Sequence, residues 1–249
     1  MLKKCLVLIL SFVPVLSGCN SAGMKAAYVM NDPIYRSTNI YMHPDYASFK
    51  IRRVLFAPIK NETSVLDVDS KLAPVFLAEL SKINKFEIVP TPEYAVPEFD
   101  DVNVRRDGKF YKIRIFDFGS RFNADAILFT HITRYNPYEP CALGISAQLI
   151  HASSGTVVWA INELYDGNSR DVEHFARYYY YRHLRYSHPL LDWKVMMVSM
   201  QYFSQMVAFD VASTITNAYR PEYTMDAHIL KTLQITEDTV INDIDPSGI

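Results

Sequence analysis

The run Arg53-Val-Leu-Phe-Ala-Pro-Ile59 constrains this chain most, being continuously apolar after its arginine, of strand length, and closed by a proline within its last two residues. A strand with no polar face suits a sheet covered on both sides, since a half-solvated strand would alternate. After the polar stretch 60–64, Leu72, Phe76, Leu80 and Ile83 recur at helical spacing. Asp69 or Ser70 can cap that helix, with Pro74 in or near its tolerated first turn. Phe86-Glu-Ile-Val89 is a second short strand, stopped by Pro90 and Pro92. Strand, helix and strand in this order predict a right-handed crossover and a parallel pair.

Residues 90–108 are proline-rich and acidic and end in the turn Arg106-Asp107-Gly108-Lys109. Between Phe110 and Phe122, Tyr111, Ile113 and Ile115 alternate like a strand while Ile113, Phe116 and Phe122 fit a helix; the second half is read as helix. Ala124–Tyr135, Cys141–Ala152 and Thr156–Glu163 are three further strands, the last two joined by the tight turn Ser153-Ser154-Gly155, and form an antiparallel meander. Asp171 to about Tyr186 is expected to be helical. Trp193–Tyr219 reads as one long helix with Lys194 and Asp210 as its only charges. Its 27 positions would reach about 40 Å, and its polar interruptions favour packing along a sheet over crossing a bilayer. The expected fold is α/β (α+β): a mixed sheet of about five strands packed by a long C-terminal helix.

The amino terminus carries an address. Lys3 and Lys4 precede the apolar run Cys5–Val15, and Leu16-Ser17-Gly18-Cys19 follows. A basic start, a short apolar run and small residues make an export signal, too short for a stop-transfer helix. The last four residues resemble the bacterial lipobox, which implies cleavage before Cys19, a diacylglycerol on its sulfur and an acyl chain, such as palmitate, on its new amino group. Three chains hold a protein on a bilayer essentially permanently, at about 0.8 kcal/mol per buried methylene. Asn20 stands where aspartate would retain an enteric lipoprotein in the inner membrane, so the resemblance points to the outer membrane. The expected organisation is a signal peptide over 1–18, a lipidated tether over 19–50, a single domain over 51–220 and a tail over 221–249 with six acids and one lysine. A 31-residue tether after Cys19 could reach roughly 100 Å, although Tyr28, Tyr35, Tyr41 and Tyr46 argue that part of it docks on the domain.

Cleavage removes Lys3 and Lys4 and leaves 23 basic against 27 acidic residues, a net charge near −4. Such a chain has no long-range attraction for nucleic acid or anionic lipid. Cys5 departs with the signal and Cys19 is acylated, so Cys141 remains alone and no internal disulfide forms.

Three strings carry a further resemblance: Val54-Leu-Phe-Ala-Pro-Ile-Lys-Asn61, Ala124-Asp125-Ala126-Ile127-Leu128, and Leu149-Ile-His-Ala-Ser-Ser-Gly-Thr-Val-Val-Trp159. Together with the element order they resemble the small α/β domain of the curli-secretion (CsgG-like) lipoproteins, of the lipoprotein activators of penicillin-binding proteins, and of the amino-terminal domain of the Tol system's propeller protein. The resemblance covers roughly residues 50–220 and implies a fold and a compartment, not an activity. On their own chemistry, Asp125 is expected to bond nearby amides and Trp159 to cover the sheet beneath the long helix.

Catalytic patterns are weak. Gly18 to Lys25 has phosphate-loop glycine spacing with Met24 at the lysine position, and it straddles the cleavage site. Gly144-Ile-Ser146-Ala-Gln148 lacks the second glycine of a nucleophile elbow. No two of the seven histidines have metal-ligand spacing with a following carboxylate, although His131 and His151 could face each other across the meander. No enzyme activity, cofactor, metal or small-molecule substrate is inferred. The segment Arg177-Tyr178-Tyr179-Tyr180-Tyr181-Arg182-His183-Leu184-Arg185-Tyr186 is the candidate contact surface, because tyrosine and arginine bury area while keeping a polar handle. Its partner-binding residues are taken as Arg177, Tyr178, Tyr179, Tyr181, Arg182, Arg185 and Tyr186. Alanine at Tyr179 and Arg182 is expected to abolish capture without unfolding the domain. A membrane-surface role, and simple packing of half of the rings, are the competing readings.

The expected function is that of an outer-membrane lipoprotein facing the periplasm, which binds one or more envelope proteins, or itself, as an accessory or assembly factor. The rival is a subunit of a curli-type secretion pore or other homo-oligomeric ring. Membrane hairpins need about 9 to 11 alternating residues per strand, and only Lys109–Phe118 comes near.

Overall fold

A computed structural model describes residues 37–102, 112–188 and 190–216. The expected signal peptide, Cys19 and the acidic tail lie outside them. Seven strands form one mixed sheet: β1 (Ile40–Met42), β2 (Arg53–Phe56), β3 (Lys60–Asn61), β4 (Glu87–Pro90), β5 (Ala126–Asn136), β6 (Ala142–His151) and β7 (Val157–Asp166). Their spatial order is β1-β7-β6-β5-β2-β4, with β3 continuing beside β5. β2 is parallel to both β4 and β5, and β5, β6 and β7 make the antiparallel meander.

The apolar run is central, as its composition demands. Val54 and Phe56 enter one core cluster and Leu55 and Ala57 the other, on the opposite face. The first face is covered by α1 (Val68–Ser81), α4 (Arg170–Tyr179), α5 (Val195–Val198) and α6 (Met200–Thr216). The second is covered over β2 and β5 by α2 (Val96–Val102) and α3 (Lys112–Arg121), where the Phe99 and Phe118 rings stack at 4.2 Å. Arg121 clamps Glu98 with two bonds of 2.9 and 2.7 Å, joining α3 to α2. Asp125 accepts the backbone N–H groups of Arg52 (2.9 Å) and Arg53 (3.0 Å) and so aligns the start of β2 with β5. Trp159 is fully buried in the first cluster, its indole N–H without a partner.

The structure differs from expectation at five places. The sheet gains β1 and β3, too short to leave a periodic pattern. Pro74 sits in the second turn of α1, because the helix opens at Val68 after Asp67 in the left-handed region at φ 59°; the proline leaves the Ser70 carbonyl without its helical donor. The long helix is broken at Ser199, whose backbone is extended (φ −117°, ψ 112°). Its carbonyl accepts the Phe203 N–H at 2.9 Å, so Ser199 begins α6 as an N-cap does. That break lets Met196 and Met197 turn into the core while the Met197 carbonyl receives the Cys141 N–H at 3.1 Å. The helix expected for the second half of Phe110–Phe122 also takes in most of the first, running Lys112–Arg121 and so covering most of the one stretch resembling a membrane strand. Finally, His151 lies opposite Ala126 and His131 opposite Ser146, so the two imidazoles are not cross-strand partners.

Candidate functional site

The tyrosine-rich segment divides between core and surface. Arg170–Tyr179 is an α-helix that buries Val172, Phe175, Ala176 and Tyr179 at helical spacing. Tyr180–Leu184 then widens into a π turn, with Arg185 N–H bonded to the Tyr180 carbonyl at 2.9 Å. Tyr179 is 2% exposed and packs on Phe209 of α6, and desolvation holds its hydroxyl far above the usual tyrosine range. Tyr180 is 4% exposed and donates its hydroxyl to the Leu191 carbonyl. Arg177 bonds Glu173 at 2.5 Å and lies over the Trp193 ring at 4.3 Å. Arg177, Tyr178 and Tyr181 are half-buried, while Arg182, Arg185 and Tyr186 are exposed. Alanine at Tyr179 would therefore open the core, which corrects the expectation that it leaves the fold intact.

A second surface was not singled out from sequence. On β6 and β7 the residues alternating with the core, Ser146, Gln148, Ala160, Asn162 and Leu164, stay half-buried or exposed, as does Tyr41 on β1. Pairing puts Gln148 beside Ala160 and Ser146 beside Asn162, and Tyr41 beside Ala160. Asn162 and Leu164 are exposed, the other four are half-buried, and none of the six side chains carries a charge. Small polar residues alternating with Leu149, Ala147 and Ile145 were the available sequence signal; it was read as strand and not as surface. At its border Glu62 bonds His131 at 2.7 Å.

Two polar clusters have shapes that could suggest chemistry. At the turn joining β6 and β7, His151 Nδ1 meets Ser154 Oγ at 2.9 Å, beside a shallow cavity of 210 Å³ lined in part by Asp125, Asn123 and Ser153. Desolvation lowers the His151 pKa against the pull of Asp125. Asp125 Oδ2 is committed to backbone amides and both nearby serine hydroxyls lie on the same ring nitrogen, so the geometry builds a turn and not a proton relay. Inside the domain, Asp210 of α6 accepts Ser37 Oγ at 2.5 Å and Tyr165 OH at 2.7 Å. Burial pushes the Asp210 carboxyl above its ordinary value, against the two hydroxyl donors and with help from nearby Glu163. Cys141 is buried, and desolvation raises its thiol pKa away from reactivity.

Among the described residues no helix is long and apolar enough to cross a membrane, and no group of three or more histidine, cysteine or acidic residues could hold a metal ion.

No protein-family model matches the chain, and no curated protein sequence matches it. Solved structures with similarity include the PelC dodecamer from Paraburkholderia phytofirmans, at 15% identity over 53% of this chain and 84% of that one, with a TM-score of 0.37. Lipoprotein GNA1162 from Neisseria meningitidis is 20% identical over 47% of this chain and 84% of its own, with a TM-score of 0.35. The C-terminal domain of LpoB from Escherichia coli is 13% identical over 49% and 93%, with a TM-score of 0.34.

Proposed function

We propose that this chain is an outer-membrane lipoprotein facing the periplasm, held by acyl chains on Cys19, that acts by binding a protein as an accessory or assembly factor of an envelope machine. The lipobox-like string and the signal before it support the anchoring. The observation that carries the binding role is the group of six uncharged side chains on one face of the sheet, Tyr41, Ser146, Gln148, Ala160, Asn162 and Leu164, with Asn162 and Leu164 exposed and the charged Arg134 and Asp166 at its rim. Interface cores are depleted of charge, and a flat strand surface offers area without costly desolvation of ions. The role needs no catalytic step.

A photo-crosslinker placed at Asn162 in intact cells tests this, with Tyr186 as comparator. A discrete foreign envelope protein captured from position 162 is the expected result. A ladder made only of this chain would favour the homo-oligomeric ring. Capture from position 186 with none from 162 would move the partner site away from the sheet.

A further inference from the structure

The exposed end of the tyrosine-rich segment continues into a loop that carries exposed apolar side chains close together in sequence. Leu190 is 98% exposed and Tyr186 87%, and Leu191 is also exposed. These side chains are held out by a built loop. The buried Tyr180 hydroxyl bonds the Leu191 carbonyl from beneath, the His188 ring sits edge-on against Tyr202 at 5.7 Å, and turn bonds run from Ser187 and His188 to Leu184 and from Leu191 to His188. Arg182, Arg185 and Lys194 flank these residues in the chain, all exposed and none in an ion pair with a described residue, the Arg185 guanidinium lying 5.7 Å from the Tyr181 ring centre. Between His174 and Phe209 the chain carries four cations, Arg177 included, and one acid, Asp192, in a protein whose total charge is −2.

We propose that the tip formed by Tyr186, Leu190 and Leu191 inserts into the interfacial layer of an anionic phospholipid bilayer, with Arg182, Arg185 and Lys194 on the headgroups. Two leucines and a tyrosine offer on the order of a few hundred Å² of apolar surface, against about 800 Å² per partner in a stable protein interface. That is too little for a protein and ample for a shallow wedge. Tyrosine suits the headgroup level, and long cationic stems keep their charge in the polar layer while their methylenes follow the acyl chains. Each cation near an anionic surface adds attraction. The inference draws on the proposed anchoring for its strength. Residues 19–36, the 18 that precede Ser37, span at most about 60 Å, so an acylated Cys19 keeps the loop at high local concentration near the bilayer and a weak contact is occupied.

The test uses the full lipidated chain with Leu190→Cys carrying an environment-sensitive fluorophore, Cys141 being buried, and Leu66→Cys as an exposed control. The chain is reconstituted in vesicles of three parts phosphatidylethanolamine to one part phosphatidylglycerol, or of phosphatidylcholine alone. The expected result is a roughly twofold or greater rise in emission with a blue shift at position 190, quenched by spin-labelled acyl chains in the anionic vesicles, and absent at position 66. Arg182→Glu with Arg185→Glu should weaken that signal roughly tenfold. Identical behaviour at 190 and 66 in both vesicles would overturn the proposal, as would protection of position 190 only when envelope proteins are added. If the chain fails to co-float with vesicles, the anchoring falls; the same label read against preformed anionic vesicles then decides the loop separately.

Discussion

Asp210 sets the clearest pH signature at the level of single residues. The residue is 8% exposed, and burial raises its pKa above the ordinary 3.8 despite hydroxyl donors from Ser37 and Tyr165. The folded state thus holds the proton to higher pH than the unfolded chain, so this group's contribution to stability falls as pH rises from about 3.8 through the raised value. Asp210→Asn should remove that slope: the difference in Tm between native chain and variant, followed by circular dichroism across this range, moves against the native chain with rising pH. A flat difference would mean that the carboxyl is not perturbed. Tyr179 and Tyr186 give a contrast of another kind. Removing the buried Tyr179 ring should cost about 3 to 5 kcal/mol, and Tyr186→Ala less than about 0.5, measured by denaturant unfolding. The four adjacent tyrosines look alike in sequence; the 3.6-residue period of α4 and the wider π turn after it decide which faces inward. Of the seven residues named from sequence as a contact set, Tyr179 alone is buried, because periodicity assigns a ring to a stripe only if the helix keeps its pitch.

At the level of elements, close approach matters more than propensity. Gly119 lies in α3 where an added Cβ would come within 2.4 Å of the Ala152 Cβ and 3.2 Å of the Ala124 carbonyl. Alanine in a helix gains about 1 kcal/mol over glycine, yet overpacking against a rigid methyl costs about 1 to 3. Gly119→Ala should therefore destabilise the protein, and Ala152→Gly in the same chain should restore most of the loss, read as the thermal midpoint of single and double variants. Gly144 is equally confined: its Cβ would meet Thr133 Oγ1 at 2.5 Å, beside the irregularity where β5 skips Thr133 in its pairing with β6. The strands themselves were legible. Continuous apolar character in Val54–Ala57 and the turn at Ser153–Gly155 each have one dominant physical cause. The helix boundaries were less so: the predicted long helix breaks at Ser199, and Pro74 is tolerated deeper in α1 than a local rule allows, both in helices held by tertiary packing rather than by propensity.

For the whole molecule, the predicted mixed sheet with a helix-covered face stands, and two unpredicted short strands extend it. β1 was hidden because three residues cannot display a period, although the tyrosines around it pointed to docking. The partly exposed face of β6 and β7 leaves no separate mark in the sequence, because uncharged alternation looks the same in a strand beneath a helix and in one facing solvent. Cys19→Ala should move the chain from the membrane fraction to the soluble or uncleaved pool, followed by fractionation and acyl labelling; retention at unchanged level without acylation would remove the lipid anchor from the account.

Ser37 also fixes how mechanical load would enter the domain. Residues 40–42 pair with the edge of β7, the Thr38 amide bonds Glu163 at 3.1 Å, and the Ser37 hydroxyl hangs on Asp210. A pull on the backbone at Ser37 therefore meets a helix side chain before it meets the strand ladder, and is shared between α6 and β7 instead of unzipping three residues one hydrogen bond at a time. Tension applied at this point would in this way pass into the helical layer as well as into the sheet.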